Sequence, residues 1–197
     1  MGLTIGVLGL QGAVSEHINQ FKNCNITAMA LRDKSRIESI HGIVIPGGES
    51  TTIGLLMQKS GLFDAVKERH KKGLPVLGTC AGMVLAASSV IDGKGRQPLL
   101  ALMDIEVKRN AFGRQKESFE EDINISGKDK PFKGVFIRAP IIVEYSKDVE
   151  VLATMNEGVV AARQKNTLVT SFHPELTDDL FIHSMFLEMC KDFAASM

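Results

Sequence analysis

The chain has 197 residues, 44% of them hydrophobic and 23% charged, enough to bury a full core and unlike a disordered composition. Its 23 Lys and Arg balance 23 Asp and Glu, and without a basic surplus nucleic acid is excluded as the main partner. Three cysteines with no CxxC spacing make neither a disulfide framework nor a zinc site, and fit reduced, cytoplasmic surroundings. The first residues show no basic region of a signal peptide, and Gly6 stands where a myristoylation signal needs Ser or Thr.

In chain order, apolar strand-like runs alternate with helix-period stretches, the pattern of an α/β domain with a largely parallel sheet. Leu3–Gly9 reads as a buried strand, Ala13–Cys24 as a helix, Ile26–Leu31 and Gly42–Pro46 as two further strands. Ser50–Gln58 and Phe63–Lys72 read as helices, the latter carrying the densest basic run on a solvated face. Pro75–Thr79 is a fourth strand, and the apolar content of Ala81–Val90 predicts a helix. The uncharged stretch from Gly73 to Ile91 is interrupted by Pro75, Gly78, Gly82 and Ser88-Ser89, so it reads as core and not as a membrane span. Beyond it, Asp104–Lys108, Phe119–Ile125, Val135–Arg138, Val149–Thr154, Val159–Arg163 and Leu168–Phe172 read as short strands, many alternating apolar and polar. Antiparallel additions to one sheet are expected from them, and with no linker between the halves the chain 1–197 reads as one domain. Ile182, Met185, Phe186, Met189, Cys190 and Phe193 then form the apolar stripe of a closing helix.

Three segments carry chemistry. Gly78-Thr79-Cys80-Ala81-Gly82 follows a buried strand and opens a helix, which is the form of a nucleophile elbow with Cys in the place of Ser. A Cys nucleophile needs a base, and the base needs a group to orient it. His173 is delivered to the end of a predicted strand with Glu175 two residues on, so an extended backbone would turn both side chains to one side. The other histidines fall within helices (His17, His70, His183) or before a strand (His41) and read as surface or satisfied residues. Pro46-Gly47-Gly48-Glu49-Ser50 follows the third strand and lacks the Lys of a P-loop. A backbone N–H from its glycines, at Gly48, together with that of Ala81, would make a two-donor oxyanion hole. The run Gly6-Val-Leu-Gly9-Leu-Gln-Gly12, with Asp33 beyond it, imitates a dinucleotide fingerprint at the wrong spacing. A nucleotide-binding module is one alternative reading; a stand-alone cysteine hydrolase or redox sensor of similar fold is another.

Pro-Gly-Gly-Glu-Ser, Gly-Thr-Cys-Ala-Gly and Ser-Phe-His-Pro-Glu, in that order, resemble the motifs of class I (triad) glutamine amidotransferases. Leu8–Val14, Gly48–Thr52, Arg109-Asn-Ala-Phe-Gly-Arg-Gln115, Gly134–Pro140 and Ser171–Thr177 narrow the resemblance to the glutaminase subunits of pyridoxal 5′-phosphate synthase. A small departure lies at Ala101, where that family usually has Gly. The resemblance implies a three-layer, flavodoxin-like α/β fold with a mostly parallel central sheet and added antiparallel strands in the second half. It implies Cys80 as nucleophile, His173 as base and Glu175 as its partner, with L-glutamine held by Gly47, Gly48, Glu49, Arg109, Ile137 and Arg138. No cofactor or metal is called for. The expected partner is a (β/α)8-barrel synthase subunit, a dodecameric core by resemblance, which takes the ammonia to make pyridoxal 5′-phosphate (vitamin B6); Gln11 is the candidate residue coupling the two subunits.

Overall fold

The computed structural model describes residues 2–91, 97–112 and 117–197. In chain order the elements are β1 (Thr4–Leu8), α1 (Val14–Asn23), β2 (Thr27–Leu31), β3 (Gly42–Ile45), α2 (Ser50–Ser60), α3 (Leu62–Lys71), β4 (Val76–Thr79) and α4 (Ala81–Ala86). There follow β5 (Ala87–Ile91), β6 (Met103–Lys108), β7 (Ser118–Ile123), β8 (Phe132–Ile137), β9 (Ile141–Tyr145), β10 (Glu150–Met155), β11 (Gly158–Gln164), β12 (Thr167–Thr170) and α5 (Phe181–Ala195).

The main sheet runs β2-β1-β3-β4-β12-β11-β9-β6-β5, with β10 paired to β11, while β7 and β8 form a separate antiparallel ribbon. The first half of the sheet is parallel from β2 through β12, and antiparallel pairing begins at β11. Alternation of side chains across each strand divides the core into layers. Ile43 and Ile45 of β3 and Val76 of β4 pack with Ile53 and Met57 of α2 and Leu62 and Val66 of α3. Val44 and Leu77 face the other way, toward Phe21 of α1 and Phe186 of α5. Strands covered on both faces bury every residue, which is why β3 and β4 read as unbroken apolar runs.

The structure departs from the sequence expectation in several places. The strands expected over Phe119–Ile125 and Val135–Arg138 are not additions to the main sheet: they pair with each other as β7 and β8 in the separate ribbon. The helix expected over Ala81–Val90 stops at Ala86, and the next five residues form β5, paired in parallel with β6. Ser88 donates to the Ile105 carbonyl and Ser89 to Glu106 Oε1, both at 2.9 Å; the strand is held by partners distant in sequence, which apolar content does not reveal. β9 was not expected at all, yet it joins β11 to β6 in the middle of the antiparallel half. The last strand ends at Thr170, short of the expected Phe172. What positions the site is simpler: β1, β3, β4 and β12 are neighbours and parallel, so their C-terminal ends share one edge, where open α/β sheets place ligands.

Candidate active site

At that edge β4 runs straight into Cys80, whose φ of 48° and ψ of −100° put a non-glycine residue in left-handed backbone. Such strain persists only where its surroundings enforce it. Here the Cys80 N–H donates to the Thr170 carbonyl at 2.8 Å, continuing the β4–β12 ladder. The flanking glycines are required by packing: a Cβ on Gly82 would land on the Ile45 carbonyl oxygen, and one on Gly78 would press on the backbone of Gly82 at 2.7 Å. The bare backbone lets α4 lie directly against β3 and β4, with Cys80 at the turn.

β12 carries the chain on to His173, whose N–H donates to the Val135 carbonyl at 2.8 Å. Its Nδ1 donates to Glu175 Oε1 at 2.7 Å. This contact was expected from extended geometry, but Pro174–Leu176 is a turn of 3-10 helix. The contact is therefore made across a turn and not along a strand. A Cβ on Gly47 would strike the His173 ring, so the glycine loop after β3 makes room for the imidazole.

Burial alone would push His173 down, but its hydrogen bonds with Cys80 and Glu175 and their charges outweigh this and take it up to about 10. Burial alone would push the Glu175 carboxyl up, but His17 beside it and the hydrogen bond from His173 hold it below the ordinary carboxylate range. Burial pushes up the thiols of Cys24 and Cys190, and neither lines the site.

A cavity of about 490 Å³ opens over the sulfur, lined by Cys80, Ala81, His173, the loop Gly47–Ser50, Gln11, Arg109, Asn110, Ile137 and Arg138, among others. Every residue singled out from the sequence for substrate, oxyanion or partner coupling is therefore in one place; of the expected residues Glu175 alone lies behind this lining, under His173. The Cys80 thiol donates to the Ile137 carbonyl at 3.8 Å. Arg138 has a φ of 44° and its N–H donates to the Glu117 carbonyl at 2.7 Å. Arg109 donates to Gln97 Oε1 at 3.0 Å and lies 3.7 Å from Glu49 Oε1. Glu49 also caps α2, accepting from Thr51 N at 3.2 Å, Thr52 N at 2.7 Å and Thr52 Oγ1 at 2.6 Å. Gly113, Arg114 and Gln115, which close the Arg109 motif, lie outside the described residues. Among the described residues no three His, Cys, Asp or Glu are grouped to hold a metal ion, and no helix is long and apolar enough to cross a membrane.

Two neighbours escaped the sequence reading. Thr79 Oγ1 accepts the Gly47 N–H at 3.1 Å, pinning the glycine loop to β4. His17, expected to be a surface or satisfied residue, is fully buried with Nε2 3.3 Å from Glu175 Oε2. The available signal was its place in α1 on one face with Gln20 and Phe21, a polar group in an apolar stripe.

The family model for the SNO glutamine amidotransferase family matches residues 7–192. The chain belongs to that family. It is 49% identical over 193 residues to a protein of Geobacillus sp. (strain WCH70) named pyridoxal 5′-phosphate synthase subunit PdxT, covering 98% of this chain and all of that one. A protein of the same name from Oenococcus oeni is 50% identical over 192 residues, 98% of this chain and 99% of the other. A solved structure titled as a glutamine amidotransferase superposes with a TM-score of 0.90 at 45% identity, over 95% of this chain and 98% of that chain. The family's α/β fold, with its mostly parallel central sheet and added antiparallel strands, is the fold described above.

Proposed function

We propose that this chain, acting as one amidotransferase domain in the cytoplasm, hydrolyses L-glutamine to L-glutamate and ammonia. The ammonia passes to a synthase subunit that makes pyridoxal 5′-phosphate. The observation that carries this reading is one cavity at the ends of the adjacent parallel strands β4 and β12, lined by Cys80 and His173 together with Arg109 and Arg138. Arg109 and Arg138 suit a free amino acid, whose α-carboxylate a planar guanidinium pairs with well.

In this reading His173 takes the proton of the Cys80 thiol, and the thiolate Sγ attacks the side-chain amide carbon of glutamine. The oxyanion forms against the N–H groups of Gly48 and Ala81. The C–N bond breaks as His173 hands its proton to the departing ammonia, leaving a γ-glutamyl thioester on Cys80. His173 then takes a proton from water, the hydroxide adds to the thioester, and glutamate leaves as the thiol regains its proton. Glu175 keeps the imidazole in one tautomer and orientation throughout. Ammonia lost to neutral water becomes mostly ammonium and is no longer a nucleophile, so a partner that receives it directly follows from the chemistry. A (β/α)8 barrel in a dodecameric core is the form expected of that partner.

The test is glutamate release from glutamine by the chain together with the synthase subunit. Cys80→Ala should abolish it while leaving fold and subunit binding intact, because losing such a nucleophile costs many orders of magnitude in rate. Equal activity in Cys80→Ala would overturn the reading.

A further inference from the structure

Beneath His173 and Glu175 lies a layer of polar groups that the reaction as written does not use. α1 turns His17 and Gln20 toward the turn that carries Glu175. Gln20 Nε2 donates to the backbone carbonyls of Glu175 at 3.3 Å and Thr177 at 2.6 Å, so this helix face already grips the backbone of the turn. His17 meets the side chain. The Glu175 carboxylate is fully buried, with Oε1 taken by His173 and Oε2 set 3.3 Å from His17 Nε2. Among the described residues no well-aligned hydrogen bond reaches Oε2, which leaves the His17 ring as its close polar neighbour.

Which nitrogen of His17 carries the proton follows from the next residue. His17 Nδ1 lies 3.1 Å from Nε2 of buried His183, and His183 Nδ1 has no hydrogen-bond partner among the described residues. If His183 were protonated at Nδ1, a buried N–H would be unpaired and His17 would turn a lone pair on a carboxylate. If His183 is protonated at Nε2, it donates to His17 Nδ1, and the His17 proton sits on Nε2, facing Glu175 Oε2 and Thr79 Oγ1, the latter at 3.2 Å. The second arrangement leaves unpaired just an acceptor nitrogen, which costs less than an orphaned donor. Burial also holds both rings below the ordinary imidazole value, hence neutral.

We infer that His17, fixed in its Nε2–H tautomer by His183, is a positioning residue for glutamine hydrolysis that holds the second oxygen of Glu175. The carboxylate then has a polar N–H facing each oxygen and presents one orientation to His173. It also stays ionised while His173 gains and gives up its proton. The same ring touches Thr79, whose hydroxyl pins the Gly47 N–H, so one buried histidine steadies both the base and the glycine loop.

This inference rests on the reading of Cys80, His173 and Glu175 given above, so the experiment checks that reading first. In complex with the synthase subunit, the wild-type chain must release glutamate and Cys80→Ala must not. Given those controls, His17→Leu should lower kcat by about tenfold to a hundredfold, the range common for loss of an outer orienting partner, with KM for glutamine changed far less. The acid limb of its kcat/KM profile should move to higher pH, because Glu175 without His17 takes up a proton more readily. His17→Gln, whose amide N–H can occupy the place of Nε2–H, should recover most of the kcat. In variants that melt as wild type does, an unchanged kcat in His17→Leu or a loss that Gln does not recover overturns the inference. Nitrogen-15 shifts of the His17 ring in the wild-type chain give a measure independent of variant folding. Protonated Nε2 with bare Nδ1 is expected, and the opposite tautomer overturns the assignment.

Discussion

The side-chain oxygen of Gln11 accepts the backbone N–H of Glu49 at 2.9 Å, tying the end of β1 to the glycine loop beside Cys80. On the same loop the Gly47 carbonyl accepts the Ala13 N–H at 3.3 Å. The N–H of Gly48 lies on the opposite side of that planar peptide, so its direction depends on contacts made by the β1–α1 turn. We expect the isolated chain to be nearly silent and the synthase subunit to switch it on through this turn. A missing oxyanion donor costs about 10²–10³ in turnover, and Gln11→Ala should lose a comparable part of the activation. Titrating glutaminase activity against the synthase subunit checks this; full activity in the isolated wild-type chain refutes the gating.

Arg109 and Arg138 line the cavity, whereas Glu175 lies behind His173. Arg109→Ala and Arg138→Ala should weaken glutamine capture, raising KM by roughly tenfold or more, as expected when a charge-assisted hydrogen bond is lost. Glu175→Gln should instead lower kcat with less effect on KM, because the amide no longer fixes the imidazolium. Steady-state kinetics of the three variants in the complex separate the roles. An Arg variant with unchanged constants does not belong to the glutamine site.

Ala101 is exposed and has a φ of 52°, so an L-residue occupies left-handed backbone that glycine adopts freely. Left-handed backbone costs an L-residue about 1–2 kcal/mol, and glycine gives back about 0.5–1 kcal/mol through its freer unfolded chain. Ala101→Gly should therefore stabilise the fold by up to about 1 kcal/mol. A urea midpoint that falls in this variant contradicts the assignment of strain.

Acid should weaken the fold before most carboxylates titrate. Burial drives His183 from 6.5 down to about 3 and lowers His17 as well. A base depressed in the folded state stays neutral there, while the unfolded chain takes up its proton below 6.5. Stability is therefore full above that value and falls as the pH drops toward about 3. For His183 the slope approaches about 1.4 kcal/mol per pH unit. Urea unfolding across this window should show it, and His183→Leu should flatten it. A wild-type stability that rises on acidification would contradict the neutral assignment of these rings.

The local patterns of the chain pointed to the candidate reacting groups. Gly-Thr-Cys-Ala-Gly needs no knowledge of the rest of the molecule to be a tight strand-to-helix turn. Packing agrees, because Gly78 and Gly82 have no room for a Cβ. Strands buried on both faces announce themselves as unbroken apolar runs, so β1, β3 and β4, and with them the edge on which Cys80 and Glu49 sit, were legible. Tertiary structure decided whatever depends on partners distant in the chain. Residues 87–91 follow a short helix with enough apolar character to prolong it, yet they become β5 because β6 offers a backbone ladder. β9 is a strand through its pairing with β6 and β11. His17 lies 158 positions before Glu175, and no spacing along one helix could say that its imidazole would be buried against that carboxylate. A buried charge takes whatever polar neighbour the packed layers deliver to it, and that delivery is a property of how α1 lies on the sheet.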